Sequence, residues 1–395
     1  MQRGTSESAP TAREATRIVA FDRARTFITL LVVIHHSVVN YTWFGNGDRI
    51  RWLGFDLVVL FNDSFFMAFM FLVSGLFVHD SLTRRGAAGY LRRRAFRLGV
   101  PLLISIFVLV PIAYYASFLR YHLPGTTDFN FFRFWSRTIT IGPWPSGQSW
   151  FLWVLLVLDI VAAAIWSVAP KALAAFGRLI AALRNRPVTA FVAFLIVSIM
   201  SYLPLHLAFG DGSWLEPGHY PFPIQTSRIL LYSAYFFIGV GIGVVSLRAG
   251  IFAEDGEIAQ RSPVWLALAV LFYGTIVLLV YAHHNWIASF ASPALWWRTA
   301  YGAAFAAFGA AMAFTVPATS LRLAHRSLRL LDAMQPQAYG IFLLHYVFII
   351  WLQYAVFDPA FPAGVKAGIV FVGTLSGSWV LTVLLRRIPV VARMI

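Results

Sequence analysis

Apolar residues along this chain gather in long runs, and short polar stretches rich in arginine separate the runs. A helix rises about 1.5 Å per residue, so crossing about 30 Å of hydrocarbon takes roughly 20 mostly apolar residues. Runs of this kind occupy 17–41, 53–79, 98–119, 149–169, 187–205, 229–247, 263–283, 297–316, 338–357 and 366–385. The pattern predicts an all-α integral membrane protein with about ten transmembrane helices. Residues 1–16 read as a polar tail and 17–395 as one transmembrane domain.

Basic residues orient such a bundle, because loops on the cytoplasmic side are enriched in Lys and Arg. With a cytoplasmic N-terminus, the inner segments hold Arg3, Arg13, Arg17, Arg23 and Arg25, then Arg84, Arg85, Arg92, Arg93, Arg94 and Arg97. Lys171, Arg178, Arg184 and Arg186 follow, then Arg248 and Arg261, then Arg322, Arg326 and Arg329, and finally Arg386, Arg387 and Arg393. These are most of the 31 basic residues. An odd number of spans would turn the last cluster outward, so the expectation is an even count with both termini cytoplasmic. The net charge of +15 is thus read as a topology signal rather than a nucleic-acid footprint. Only 12% of residues are charged, against about 25% in soluble domains. The absence of cysteine excludes disulfides, thiol nucleophiles and cysteine metal sites. The polar start, with no apolar core before a small-residue cleavage site, predicts no removable signal peptide.

The first span is the least hydrophobic and carries Asp22, Arg23, Arg25, His35 and His36. An ionisable group at membrane depth costs about 2.5–3.5 kcal/mol at a helix centre on insertion scales, which makes each one a functional candidate. Arg25 and His36 are eleven residues apart, three helical turns with about 20° left over, so they share a face about 16 Å apart along the axis. A cation near the inner surface and an imidazole deeper in suit a substrate with an anionic cytoplasmic part and a buried reactive part. Membrane anchoring by Arg25 and an interhelical hydrogen bond by His36 stay open as plainer roles. His35 points about 100° away, as a packing residue would. Asp63, in Asn62-Asp63-Ser64 of the second span, falls near the level of His36, where it could fix the imidazole's tautomer. A helix-end or inter-span polar contact is its alternative.

The loop GYLRRRAFRLGVP is the densest cationic cluster, with Arg94 and Arg97 three apart. Guanidinium forks bind phosphates bidentately, so the loop could dock a phosphorylated cofactor, or serve topology and anionic lipid headgroups. Gly239, Gly241 and Gly243 lie inside a span with no strand before them, which favours close helix packing over a dinucleotide loop, and Gly373 and Gly377 read alike. The outer segments 120–148 and 206–228, with Pro143-Trp144-Pro145 and Pro221-Phe222-Pro223, suit a lid, an acceptor platform or interfacial anchoring. No metal-site pattern is present: His283-His284-Asn285 has no carboxylate nearby.

Four segments in order resemble the membrane-bound acyltransferase family 3. They are FDRARTFITLLVVIHH with Arg25 and His36, FFMAFMFLVSGLF ending in Ser74-Gly75, LRRRAFRLGVP with Arg94, Arg97 and Pro101, and AYGIFLLHYVFIIWLQY with Tyr339-Gly340 and His345. The resemblance covers nearly the whole chain. It implies a multi-pass protein of a bacterial inner (plasma) membrane that moves an acyl group to a hydroxyl of a cell-envelope glycan, lipid-linked sugar or other carbohydrate. The donor implied is cytoplasmic acyl-CoA, a substrate rather than a permanently bound cofactor; membrane lipids are the remaining partners. It further implies His36 as base or acyl-handling residue, assisted by Asp63 on the reading above. Arg25, Arg94 and Arg97 become donor-binding residues, with Ser74, Tyr339 and His345 as further substrate contacts. Two features depart from the family pattern. The fourth span offers no acid after its Trp until Asp159, and no esterase domain follows the last helix. A transporter or flippase is the rival reading; it predicts Gly/Pro-broken helices in two related halves, and no such symmetry is present.

Overall fold

The computed structural model describes residues 12–121, 129–142, 144, 147–215, 222–245, 250–286 and 293–395. Pro143, Pro145, Pro221 and Arg248 lie outside them. The chain folds as α1 (Ala12–Val38), α2 (Leu53–Asp63), α3 (Phe66–Gly75), α4 (Val78–Arg94), α5 (Val100–Ile104), α6 (Val110–Tyr121), α7 (Phe131–Thr140), α8 (Trp150–Val168) and α9 (Pro170–Ala181). There follow α10 (Pro187–Phe209), a two-stranded antiparallel pair β1 (Trp214–Leu215) and β2 (Ile224–Gln225), α11 (Ile229–Val244), α12 (Glu257–Gln260) and α13 (Ser262–Trp286). Then come α14 (Leu295–Arg322), α15 (Arg329–Met334), α16 (Ala338–Ala355), α17 (Ala363–Leu385) and α18 (Pro389–Met394).

Nine helical stretches among the described residues are long and apolar enough to cross a bilayer: Leu53–Gly75, Val78–Tyr121, Gly147–Val168, Pro187–Phe209, Thr226–Val244, Ser262–Asn285, Leu295–Arg322, Arg329–Ala355 and Ala363–Leu385. The tenth expected span, the first, is a continuous helix of 27 residues whose charged N-terminal half keeps it below that hydropathy. Its apolar side chains Ala20, Phe21, Ala24, Ile28, Val32 and Val33 are buried, and α1 packs among α14, α16 and α17 near the middle of the bundle. α14 is the other central helix, whereas α13 turns Leu266, Val270, Leu271 and Leu278 outward, as lipid-facing residues would be.

The arginine-rich segment expected as a loop is helical. α4 runs through a π turn (Ala95–Gly99), α5 and a second π turn (Ser105–Leu109) into α6, with a positive-φ break only at Gly86 (φ 69°). Prolines account for the π turns. Pro101 and Pro111 have no N–H for the carbonyls four residues earlier, and each widened turn lies just before its proline. Both of those carbonyls take a hydrogen bond from another helix. Tyr339 Oη donates to the Arg97 carbonyl at 2.6 Å, and Trp135 Nε1 donates to that of Phe107 at 2.8 Å.

The span glycines are packing residues. A Cβ on Gly75 would stand 2.1 Å from the Phe236 carbonyl oxygen, and one on Gly239 2.1 Å from that of Leu72, so α3 and α11 cross backbone to backbone. Gly373 and Gly377 likewise meet Leu352 and Phe348 across α16 and α17. Gly239→Ala should therefore destabilise the bundle by about 1–3 kcal/mol through overpacking. Gly274→Ala, where a Cβ meets nothing within 4 Å, should not lower stability. Thermal melts of the two variants in detergent check the contrast.

Candidate functional site

A cavity of about 750 Å³ opens at the end of the bundle where α1, the π turn after α4, α16 and the chain's last helix meet. Among the described residues its wall carries six arginines, Arg25, Arg93, Arg94, Arg97, Arg386 and Arg393, and one aspartate, Asp22. Ser74, Tyr339 and Phe342 complete the side nearest the bundle interior. Five of the residues singled out from sequence (Arg25, Ser74, Arg94, Arg97 and Tyr339) thus share one wall.

The arginine heads are held by a small set of partners. Arg94 Nε lies 3.1 Å from the carboxylate of Asp159, which is wholly buried on α8, and 3.2 Å from Tyr90 Oη; Tyr90 also donates to Asp159. Asp159, the late acid of the fourth span, is therefore the anchor of Arg94. The Arg25 guanidinium lies over the Phe77 ring at 4.8 Å and 3.8 Å from Asp22, whose carboxylate accepts from Gln335. Arg23, next to this wall, is buried in a two-pronged pair with Asp332 (2.5 and 2.9 Å) and donates to the carbonyls of Leu323 and Ala324. Arg93, Arg386, Arg393 and Gln335 carried no sequence signal beyond membership in basic clusters or a helix start. Only the fold places Arg386, after α17, and Arg393, on α18, beside Arg25.

His36 and His345 lie together, farther into the bundle than the cavity wall. Their ring centroids are 5.2 Å apart, and the His345 ring is 5.8 Å from that of Phe342, which separates the pair from the cavity. His36 Nδ1 is 2.9 Å from the Val32 carbonyl and His345 Nδ1 2.6 Å from that of Phe342. A carbonyl only accepts, so Nδ1 carries the hydrogen in both neutral rings and each Nε2 keeps its lone pair. His345 Nε2 is buried without a hydrogen-bond partner. His35 packs on Phe66, with ring centroids 5.2 Å apart.

The pairing expected between Asp63 and His36 does not form. Asp63 makes a two-pronged ion pair with Arg228 (2.5 and 2.8 Å), a residue 3% exposed. The reason is electrostatic: a buried guanidinium is the stronger claimant on a carboxylate than an imidazole whose Nδ1–H is already satisfied by its own helix. The pair belongs to a second network. In it Tyr202 and Ser227 donate to Asp211, His206 Nδ1 lies 3.2 Å from Asp211, and Arg298 donates to the His206 carbonyl. Among the described residues no three His, Asp or Glu side chains gather as a metal site.

Asp211 lies in the turn after α10. Burial works against its charge, but the hydrogen bond from His206 and the Arg228 charge outweigh burial and bring its pKa down from 3.8 to about 2. A carboxyl depressed in the folded state stabilises the fold above its ordinary pKa, and that contribution disappears as pH falls through the folded value. Asp211→Asn should therefore lower the melting temperature by a constant amount between about pH 5 and 8. The gap from wild type should close as pH falls from about 4 towards 2, which melts across a pH series will show.

The sequence was also compared with known proteins. No curated protein matches it. The family model described as an acyltransferase domain matches residues 18–383, from the second turn of α1 into the last turn of α17. That stretch contains His36, His345 and most of the arginine wall, and the chain belongs to this acyltransferase family, the membrane-bound acyltransferases.

Proposed function

We propose that this protein transfers an acyl group from acyl-CoA, bound on the cytoplasmic side of a bacterial inner membrane, to a hydroxyl of a carbohydrate-type acceptor. The observation that carries the reading is the arginine-lined cavity on the same face of α1 as His36. Its volume falls within the range of about 300–1,000 Å³ usual for small-molecule sites. Among the described residues, six guanidinium groups against one acidic side chain favour a polyanion, and guanidinium forks suit the phosphates of a coenzyme A. Arg94, fixed by Asp159 and Tyr90, and Arg97, in a turn fixed by Tyr339, are the residues best placed to hold phosphate. Arg25 marks the way inward.

The narrow pantetheine arm then passes Ser74 and Phe342 and brings the thioester to His36. The acceptor oxygen attacks the thioester carbonyl carbon while His36 Nε2 takes its proton. The C–S bond breaks, and the coenzyme A thiolate leaves and takes that proton from His36, which restores the base. The second imidazole, His345, offers another acceptor Nε2 at the same level and is the alternative taker of that single proton. Asp63 has no part in this step; its partner is Arg228.

The reading divides the labour between two sets of residues. With radiolabelled acetyl- and succinyl-coenzyme A and protein in nanodiscs, Arg94→Ala/Arg97→Ala should weaken donor binding by at least tenfold, since charge-assisted hydrogen bonds contribute about 1.5–3 kcal/mol each. His36→Ala should still bind the donor while turnover falls by about 10²–10⁴-fold, the usual scale of a lost general base. Donor binding unchanged in the double arginine variant would overturn the assignment of this cavity.

A further inference from the structure

Two of the wall arginines, Arg386 and Arg393, lie beyond residues 18–383, the stretch that the family model matches. Arg386 follows the last turn of α17, and Arg393 stands on α18, which rests on the π turn Ala95–Gly99 with Met394 buried. Arg386 donates to the Pro336 carbonyl and, at 3.4 Å, to Gln337 Oε1. Both bonds leave from Nη1. Among the described residues the Nε–Nη2 edge of this guanidinium is therefore unpartnered, and its two parallel N–H groups fit a phosphate. The Arg393 side chain is exposed, and among the described residues no carboxylate pairs with either arginine. Asp22, the acid on this wall, lies by Arg25.

We propose, building on the acyltransferase reading above, that Arg386 and Arg393 form a second phosphate clamp at the mouth of the cavity, and that it holds the ribose 3′-phosphate of the coenzyme A donor. The order of contacts along α16 selects that phosphate. Arg386 is fixed at Pro336 and Gln337, the turn carrying Arg97 is fixed at Tyr339, and Phe342 and then His345 follow. Pro336 precedes Tyr339 by three residues, so the Arg386 contact lies roughly 5 Å farther from His345 than the Arg97 contact. Coenzyme A presents its parts in the same order. The thiol arm joins the pyrophosphate, the pyrophosphate joins the ribose, and the third phosphate hangs from that ribose. With the thioester towards the histidines, the pyrophosphate falls beside Arg94 and Arg97 and the third phosphate falls at the mouth. A phosphate monoester carries about −1.5 to −2 charges at neutral pH, so it gains most from two guanidinium groups that no carboxylate neutralises. The pyrophosphate, once seated by Arg94 and Arg97, brings the third phosphate to this clamp, so the outer clamp acts only on a donor that the inner one already holds.

The test compares coenzyme A with 3′-dephospho-coenzyme A, which lacks only that phosphate, and with pantetheine. Each would be titrated into the full-length protein in nanodiscs at one fixed ionic strength, because salt screens exposed charges. The proposal predicts that wild type binds coenzyme A about tenfold or more tighter than the dephospho compound. In Arg386→Ala/Arg393→Ala that ratio should fall to within about twofold, the loss of the charge-assisted bonds to one phosphate. Affinity for the dephospho compound should stay at the wild-type level in this variant, which also shows that it is folded. Arg387→Ala, exposed and off the cavity wall, should keep the wild-type ratio. An undiminished ratio in the double variant, an equal loss in Arg387→Ala, or a wild type that binds both coenzymes equally yet better than pantetheine would overturn the clamp. A wild type that binds coenzyme A no better than pantetheine would instead count against the donor reading on which the proposal rests.

Discussion

A guanidinium inside an apolar bundle has no water to turn to, so each one must be matched by a carboxylate, a ring face or a carbonyl within the protein. With 31 basic and 16 acidic residues, this chain cannot pair them all. How a few acids are allotted to buried or half-buried cations shapes the molecule. Asp159 takes Arg94, Asp332 takes Arg23 and Asp63 takes Arg228, and each pair ties together helices distant in sequence. Buried Lys366 with Asp48 does the same at the start of α17. What the acids leave over is a wall of arginines around one cavity, with Asp22 as the one negative side chain among its described residues. That surplus of positive charge is the binding chemistry of the site.

The spans were legible because bilayer thickness sets their length, and no tertiary contact is needed to read a run of twenty apolar residues. Arg25 and His36 were legible for a related reason: helical geometry alone puts residues eleven apart on one face. The segment around Arg94 and Arg97 was harder. Two prolines and a run of arginines read as a loop, whereas π turns, with Tyr339 and Trp135 donating to the carbonyls those prolines leave without their usual partner, keep it helical. Partner choice was not legible at all. Nothing local in Asn62-Asp63-Ser64 distinguishes a carboxylate that meets His36 from one that meets Arg228, because the answer depends on where α11 begins relative to α2. Arg386 and Arg393 were hidden likewise, since their role comes from the last turns of the chain folding back beside α1 and α16.

The two histidines show how backbone and side chains combine to set reactivity. Each imidazole spends its Nδ1–H on a carbonyl of its own helix, which leaves two Nε2 lone pairs in a setting with no competing hydrogen-bond donor at His345. Such a pair is poised to accept a proton, and it lies on the seam between α1 and α16, farther into the bundle than the cationic cavity.

The central claim is that the arginine cavity holds the phosphates of the donor. Calorimetric titration of the full-length protein in nanodiscs with coenzyme A and with pantetheine, which has the same thiol arm without the nucleotide phosphates, tests it most directly. The account predicts saturable binding of coenzyme A, binding of pantetheine weaker by at least tenfold, and loss of that difference in Arg94→Ala/Arg97→Ala. Equal affinity for the two compounds, or an undiminished preference for coenzyme A in the arginine variant, would contradict it.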